Sequence, residues 1–290
     1  MAKLITMPTT PNFVRSNFSL VRTVGTTVSP FTGKTKTQEF DGVYWTAEVS
    51  LPPMRRDVAS NWQSFLLDLN GPVNTFKFAD PDALTNTGTY TTAHLTSELR
   101  TNNTNVSLSF ASNGTLTANA STFSSTKVGD FIVITGATNE ENNGTFKVST
   151  VTSNTVVVTD GDFTTESSTA SCKVRTNVKG ATGLCLRASS TGASGTIKKG
   201  DYLSIQSAAS SSETPAQLVM VVEDATATSD AGNDFYSVKT QPKLRSDLAS
   251  GHYVVFTNPK GNFRLVSNEV SWSADKISNY GISFSCIEVI

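Results

Sequence analysis

Tyr44-Trp-Thr-Ala-Glu-Val-Ser-Leu51 runs through Pro52-Pro53 into Met54-Arg-Arg-Asp-Val-Ala-Ser-Asn-Trp-Gln-Ser-Phe-Leu-Leu-Asp-Leu-Asn70, and this stretch carries two different periods. In its first part Trp45, Ala47, Val49 and Leu51 alternate with Tyr44, Thr46, Glu48 and Ser50, the period of two that buries one face of a strand. In its second part Val58, Trp62, Phe65, Leu66 and Leu69 form one stripe of a 3.6-residue period. The two prolines stand at the entry, where missing amide donors cost nothing, and Gly71-Pro72 stands at the exit. The spacing predicts a helix over 54–70.

Outward from this stretch, the strand pattern returns only at the far end of the chain. Tyr280, Ile282, Phe284 and Cys286 alternate with Gly281, Ser283 and Ser285, and Val270, Trp272 and Ala274 alternate just before them. The apolar strands thus cluster at both ends, with the aromatic-rich helix near the start. Residues 1–86 and 263–290 are therefore expected to fold together as one discontinuous domain. The middle has another texture, rich in Ser, Thr, Asn and Gly, with turn pairs such as Asn113-Gly114, Asn143-Gly144 and Asp160-Gly161. Runs such as Phe131-Ile-Val-Ile134, Thr155-Val-Val-Val158 and Tyr253-Val-Val-Phe256 argue that it is ordered β structure, with mobile loops near 97–104 and 207–214. It also repeats itself: Val128-Gly-Asp-Phe-Ile-Val-Ile134 is echoed by Lys199-Gly-Asp-Tyr-Leu-Ser-Ile205. Two inserted β modules follow, 87–175 and 176–262. The expected fold class is mainly β: a split β-barrel or sandwich core with one flanking α-helix, formed by both chain ends, plus two small inserted barrels or sandwiches.

Composition excludes several functions. The 290 residues carry a net charge of -1, with no basic excess to neutralise phosphates, so a dedicated or sequence-specific nucleic-acid binder is not expected. Ser and Thr together number 78, about a quarter of the chain, and no apolar run approaches the ~18 residues of a membrane span. Met1-Ala-Lys-Leu-Ile-Thr-Met7 is too short an apolar stretch for a secretory signal, which points to synthesis in the cytoplasm. Cys172, Cys185 and Cys286 form an odd set without CxxC spacing, and read as small buried residues rather than a disulfide or zinc framework.

Little in the sequence points to chemistry. His94 and His252 are the two histidines, and neither lies beside a nucleophile elbow. Asp80-Pro-Asp82 lacks the further oxygen ligands of a cation loop and reads as an Asx turn, as do Asp130 and Asp201 after their glycines. No catalytic residue, cofactor site or metal site is expected. Arg55 and Arg56 sit where the helix macrodipole disfavours cations by ~0.3–1 kcal/mol. They are candidates for a contact with an acidic or carbonyl-rich partner surface.

Ser29-Pro-Phe-Thr-Gly-Lys-Thr35, Tyr44-Trp45, Leu51-Pro-Pro-Met54, Trp62 with Phe65-Leu66, and Asp80-Pro-Asp82 together resemble the N-terminal part of distal tail proteins of long-tailed bacteriophages. Lys199-Gly-Asp-Tyr-Leu203, Pro242-Lys-Leu-Arg245, Phe263-Arg-Leu-Val-Ser-Asn-Glu-Val-Ser-Trp272 and the closing Tyr280–Ile290 are similar to the second half of that family. The resemblance covers roughly 1–86 and 176–290. The resemblance implies a non-enzymatic virion protein of the tail tip, a homohexameric ring that joins tail tube protein to a tail hub or fibre protein around a lumen for DNA. The 29–37 loop, with Thr32, Lys34 and Lys36, then becomes a candidate inter-subunit arm beside Arg55 and Arg56. A receptor- or glycan-binding tail adhesin is the alternative, and requires exposed aromatic platforms. A polysaccharide hydrolase is a third reading, and requires two carboxylates facing a groove.

Overall fold

The computed structural model describes residues 2–90, 94–188, 195–206, 215–230, 233–276 and 279–290. Strand accounts for 49% of it and helix for 6%, so the fold is mainly β with a single α-helix among the described residues, as the sequence predicts. That helix is not long and apolar enough to cross a membrane. The chain divides into two compact units. The first comprises Met1–Leu84, Thr214–Leu218 and Asn258–Ile290; the second comprises Thr85–Glu213 and Val219–Thr257.

In the first unit both chain ends build one open sheet. Its strands run in the order Leu4–Ile5, Thr75–Phe78, Gly261–Leu265, Asn279–Glu288, Tyr44–Ser50 and Arg15–Val21. The helix spans Arg56–Asp68, two residues shorter at each end than the periodicity predicts. Met54 and Arg55 instead pair with Tyr280 and Asn279 of the C-terminal strand, so tertiary pairing claims the residues before the first turn. Trp45, Ala47, Val49 and Leu51 are buried, as their alternation requires. Phe13 meets Trp62, Phe78 and Phe284 with ring centroids 5.6–6.3 Å apart, in edge-on contacts of the favourable kind. The indole of Trp62 donates to the carbonyl of Thr10 at 3.0 Å, so its one polar atom is satisfied inside the core. Val270, Trp272 and Ala274 do not behave as their alternation suggests. The short strand Trp272–Ala274 is exposed throughout, with Trp272 42% accessible, because it hangs on the edge of Asn279–Glu288 with no layer above it.

Leu218 belongs to this unit through its backbone. Its N–H donates to the buried carboxylate of Glu288 at 2.8 Å, and its carbonyl accepts from the Trp45 indole at 2.9 Å. Asn258 likewise donates to the carbonyl of Leu84 at 2.7 Å, so the returning chain joins the unit at 258 rather than 263.

The second unit holds two closed six-stranded barrels. Their arrangement differs from two consecutive modules. One barrel is built from Asn102–Phe110, Thr115–Ala118, Phe131–Thr135, Gly144–Ser153, Val156–Thr159 and Glu166–Arg175. The other begins with His94–Ser97 and resumes, after the first barrel is complete, with Gly183–Ala188, Tyr202–Gln206, Pro215–Val221, Asn233–Gln241 and Tyr253–Val255. The first barrel is thus inserted between strands one and two of the second. Both close in the same circular order, first–second–fifth–fourth–third–sixth.

The repeated Gly-Asp turn occupies the same place in each, at the entry to the third strand. In the inner barrel the Lys127 N–H donates to the Asp130 carboxylate at 2.8 Å, Gly129 N–H donates to the Val148 carbonyl, Val148 N–H donates to the Asp130 carbonyl, and φ at Gly129 is 93°. In the outer barrel Lys198 donates to Asp201 at 3.1 Å, Gly200 donates to Val221, and φ at Gly200 is 94°. Only glycine adopts such a φ without strain, which is why the motif repeats as Gly-Asp.

The 97–104 segment, expected as a mobile loop, is held instead: Ser97, Arg100 and Thr101 are buried. Thr101 accepts the Thr176 N–H at 2.8 Å, and the Arg100 guanidinium lies 3.6 Å from Asp130 and 3.7 Å from the centre of the Phe235 ring. The 207–214 loop lies outside the described residues.

Candidate functional site

The sequence Val24-Gly-Thr-Thr-Val28 and Thr35-Lys-Thr-Gln-Glu39 forms a hairpin that pairs with no other strand among the described residues. Its ladder runs Val24↔Glu39, Gly25↔Gln38, Thr26↔Thr37, Thr27↔Lys36 and Val28↔Thr35. The turn is fixed by short-range bonds: Ser29 N–H to the Lys34 carbonyl at 2.9 Å, Gly33 N–H to the Ser29 carbonyl at 2.9 Å, with Gly33 at φ 66°. Pro30 supplies a preset backbone angle at the turn entrance, which leaves Phe31 at the apex. At the base, Phe40 N–H donates to the Thr23 carbonyl and the Thr23 hydroxyl to the Gly42 carbonyl at 2.8 Å. Arg22 and Glu39 add an exposed ion pair at 3.4 Å, worth less than about 1 kcal/mol.

Every residue of Thr35–Glu39 is exposed, and Phe31 is 95% accessible. Val24, Val28 and Phe40 are each about half accessible. Val24, Thr26, Val28, Thr35, Thr37 and Glu39 share one face, which is open and, apart from Glu39 at the base, β-branched. A lone two-stranded ribbon is marginally stable in water and presents unpaired strand edges. An aromatic residue at its apex loses the hydrophobic gain of burial unless another surface covers it.

Of the candidate interface residues, Thr32, Lys34 and Lys36 come together on this hairpin, all exposed. Arg55 and Arg56 stand apart from them. Arg55 is the N-cap residue of the helix and makes no side-chain cap, Arg56 opens the first turn, and Asp57 in that turn offsets part of the unfavourable dipole contact. Phe31 was not singled out by charge or spacing, although an aromatic residue between a proline and Thr-Gly is a legible sign of an exposed apex.

A second feature of the same unit is a cleft of about 650 Å³ on the solvent side of its sheet. Arg15, Asn17, Glu48, Ser50, Ser283 and Ser285 supply its polar rows, in register across three neighbouring strands. Leu66, Val266 and Val270 supply apolar lining, and Glu269 a second carboxylate. Val266 is 55% accessible.

Elsewhere the polar residues hold structure. Asp82 N–H donates to the Asp80 carboxylate at 3.3 Å, an Asx turn. The His94 ring stacks on Tyr253 at 4.2 Å between neighbouring strands of the outer barrel. Cys172, Cys185 and Cys286 are buried, and burial pushes each thiol upward, away from the reactive thiolate. Among the described residues no three His, Cys, Asp or Glu side chains group as metal ligands. Among the described residues the aromatic rings of the second unit are all buried or half-buried. Neither a protein-family model nor a curated protein matches the chain.

Proposed function

We propose that the chain is a structural subunit of a phage tail tip that assembles with copies of itself into a ring, hexameric by resemblance to distal tail proteins. On this reading the ring joins tail tube protein on one face to a hub or fibre protein on the other, leaves a lumen for DNA, and resides at the tail tip of the virion after synthesis in the host cytoplasm. It is non-enzymatic and uses no cofactor.

The observation that carries the reading is the lone hairpin, with its open β-branched face and its exposed Phe31 apex. Its composition suits a permanent protein contact, which removes exposed edges and apolar surface together. A cyclic ring needs a heterologous interface, and a projecting arm supplies one half of it. The open sheet formed by both chain ends gives a single base for that arm, and the Ser/Thr-rich barrels are carried as one insert. A near-zero net charge fits a lumen through which DNA slides without tight binding.

Native mass spectrometry and negative-stain microscopy of the purified chain test this. The expected result is a closed ring of 30.9 kDa subunits. Replacing residues 24–39 by a two-residue Asn-Gly turn is expected to give monomers that unfold at an unchanged temperature. A wild type that stays monomeric at about 100 μM, far above the micromolar dissociation constant of even a modest specific interface, would overturn the reading.

A further inference from the structure

We infer that the hairpin arm of one copy docks into the sheet-face cleft of a second copy, head to tail; this rests on the self-assembly proposed above and names the surface that receives the arm. The placement follows from strand register. Arg15–Val21 and Tyr44–Ser50 are paired along their length, from Arg15↔Ser50 to Val21↔Tyr44. The arm grows from the Val21/Tyr44 end, whereas Arg15, Asn17, Glu48 and Ser50 line the cleft at the other end. A seven-residue strand spans about 20 Å, so the arm leaves its own cleft behind and meets the cleft of another copy. Such a contact is heterologous, and repeats around an axis when its rotation closes.

The two surfaces also match chemically. The arm brings two exposed cations, Lys34 and Lys36, neither in an ion pair among the described residues, around the apolar Phe31. The cleft brings two carboxylates, Glu48 and Glu269, likewise without ion pairs among the described residues, around Leu66, Val266 and Val270. Its one cation, Arg15, is suited to the face of the Phe31 ring rather than to the lysines. A volume of about 650 Å³ is within the range that buries a ligand of several side chains. Rim charges of this kind fix register and partner choice, while the apolar centre supplies affinity.

Charge reversal on the full chain, read by mass photometry, tests the docking. Lys34→Glu with Lys36→Glu on the arm, and Glu48→Lys with Glu269→Lys in the cleft, are each expected to weaken assembly at least tenfold, with unchanged thermal unfolding. Mixing the two variants in equal amounts is expected to restore assembly, because each reversed arm then finds a reversed cleft and each native arm a native cleft. Wild-type assembly by the cleft variant, or no recovery on mixing, overturns this docking site. If in that case deletion of 24–39 still yields monomers, the ring stands and the arm docks elsewhere. A wild type that never assembles removes both.

Discussion

The inner and outer barrels share a circular strand order and the same Gly-Asp turn, yet their aspartates serve different ends. Asp201 keeps one carboxylate oxygen for its own turn and uses the other to hold the N–H and hydroxyl of Thr87, both at 2.8 Å, pinning the chain that enters the unit. Asp130 also keeps one oxygen for its turn, but its other accepts from Ser237 of the outer barrel at 2.9 Å, with Arg100 beside it. The same turn is therefore a latch on an incoming strand in one copy and a cross-brace between barrels in the other. Repetition of a fold preserves backbone requirements first; the spare lone pairs are free to take whatever neighbour the new position offers.

The comparison can be broken most forcefully at Asp130. Burial pushes its carboxyl above the ordinary range, although Arg100 pulls the other way. Asp130→Ala strands a guanidinium that is 8% accessible, and is expected to destabilise the second unit by about 3–5 kcal/mol in chemical denaturation. Asp201→Ala strands neutral donors only, so about 1–3 kcal/mol is expected from the same measurement. Equal losses at the two positions would mean that the brace is no stronger than the latch.

The inner barrel has a further device, centred on Glu166, with no counterpart among the described residues of the outer one. Burial would raise the pKa of Glu166, but hydrogen bonds from the Thr169 hydroxyl, the Asn139 and Thr138 amides and the Asn142 side chain more than offset it, bringing it to about 2. A depressed folded-state pKa contributes stability above the ordinary value of 4.5 that is lost as pH falls toward 2. Glu166→Gln is expected to cost about 1–3 kcal/mol at neutral pH, with the gap to wild type closing as pH approaches 2. A gap that is constant with pH would show that the charge is not what holds the 137–143 loop. The smallest expected effect is shared: Gly129→Ala and Gly200→Ala each meet open space but force alanine to positive φ, at about 1–2 kcal/mol apiece.

The elements that sequence reading located are those with a long, one-sided pattern. The Trp62–Phe65–Leu66 stripe and the Trp45–Leu51 alternation each bury a face, and their burial follows the pattern. Trp272 and Ala274 show the limit of that reasoning, since alternation marks a face but not whether a second layer exists to cover it. The nesting of the barrels was beyond reach for a related reason. His94–Ser97 is four residues long, and nothing in His-Leu-Thr-Ser states which of two barrels with the same strand order it completes. Arg100 and Asp130 likewise carry no mutual signal, because their meeting depends on both barrels being closed. In the arm, Thr32, Lys34 and Lys36 were legible as turn-proximal polar residues, while the cleft, assembled from strands at opposite ends of the chain, was not.

The nesting also orders the chain in time. Residues 102–175 complete a barrel among themselves, whereas Leu95 must wait for Val254 and Leu4 opens a sheet that only the strand ending at Glu288 completes. As the polypeptide leaves the ribosome, its centre is the first part able to finish, then the shell around it, and the two ends last, like brackets closed from within. Long-separated pairings are the slow ones, so the part that carries the arm is also the last to mature. A chain still lacking the Asn279–Glu288 strand therefore has no finished sheet from which the hairpin projects.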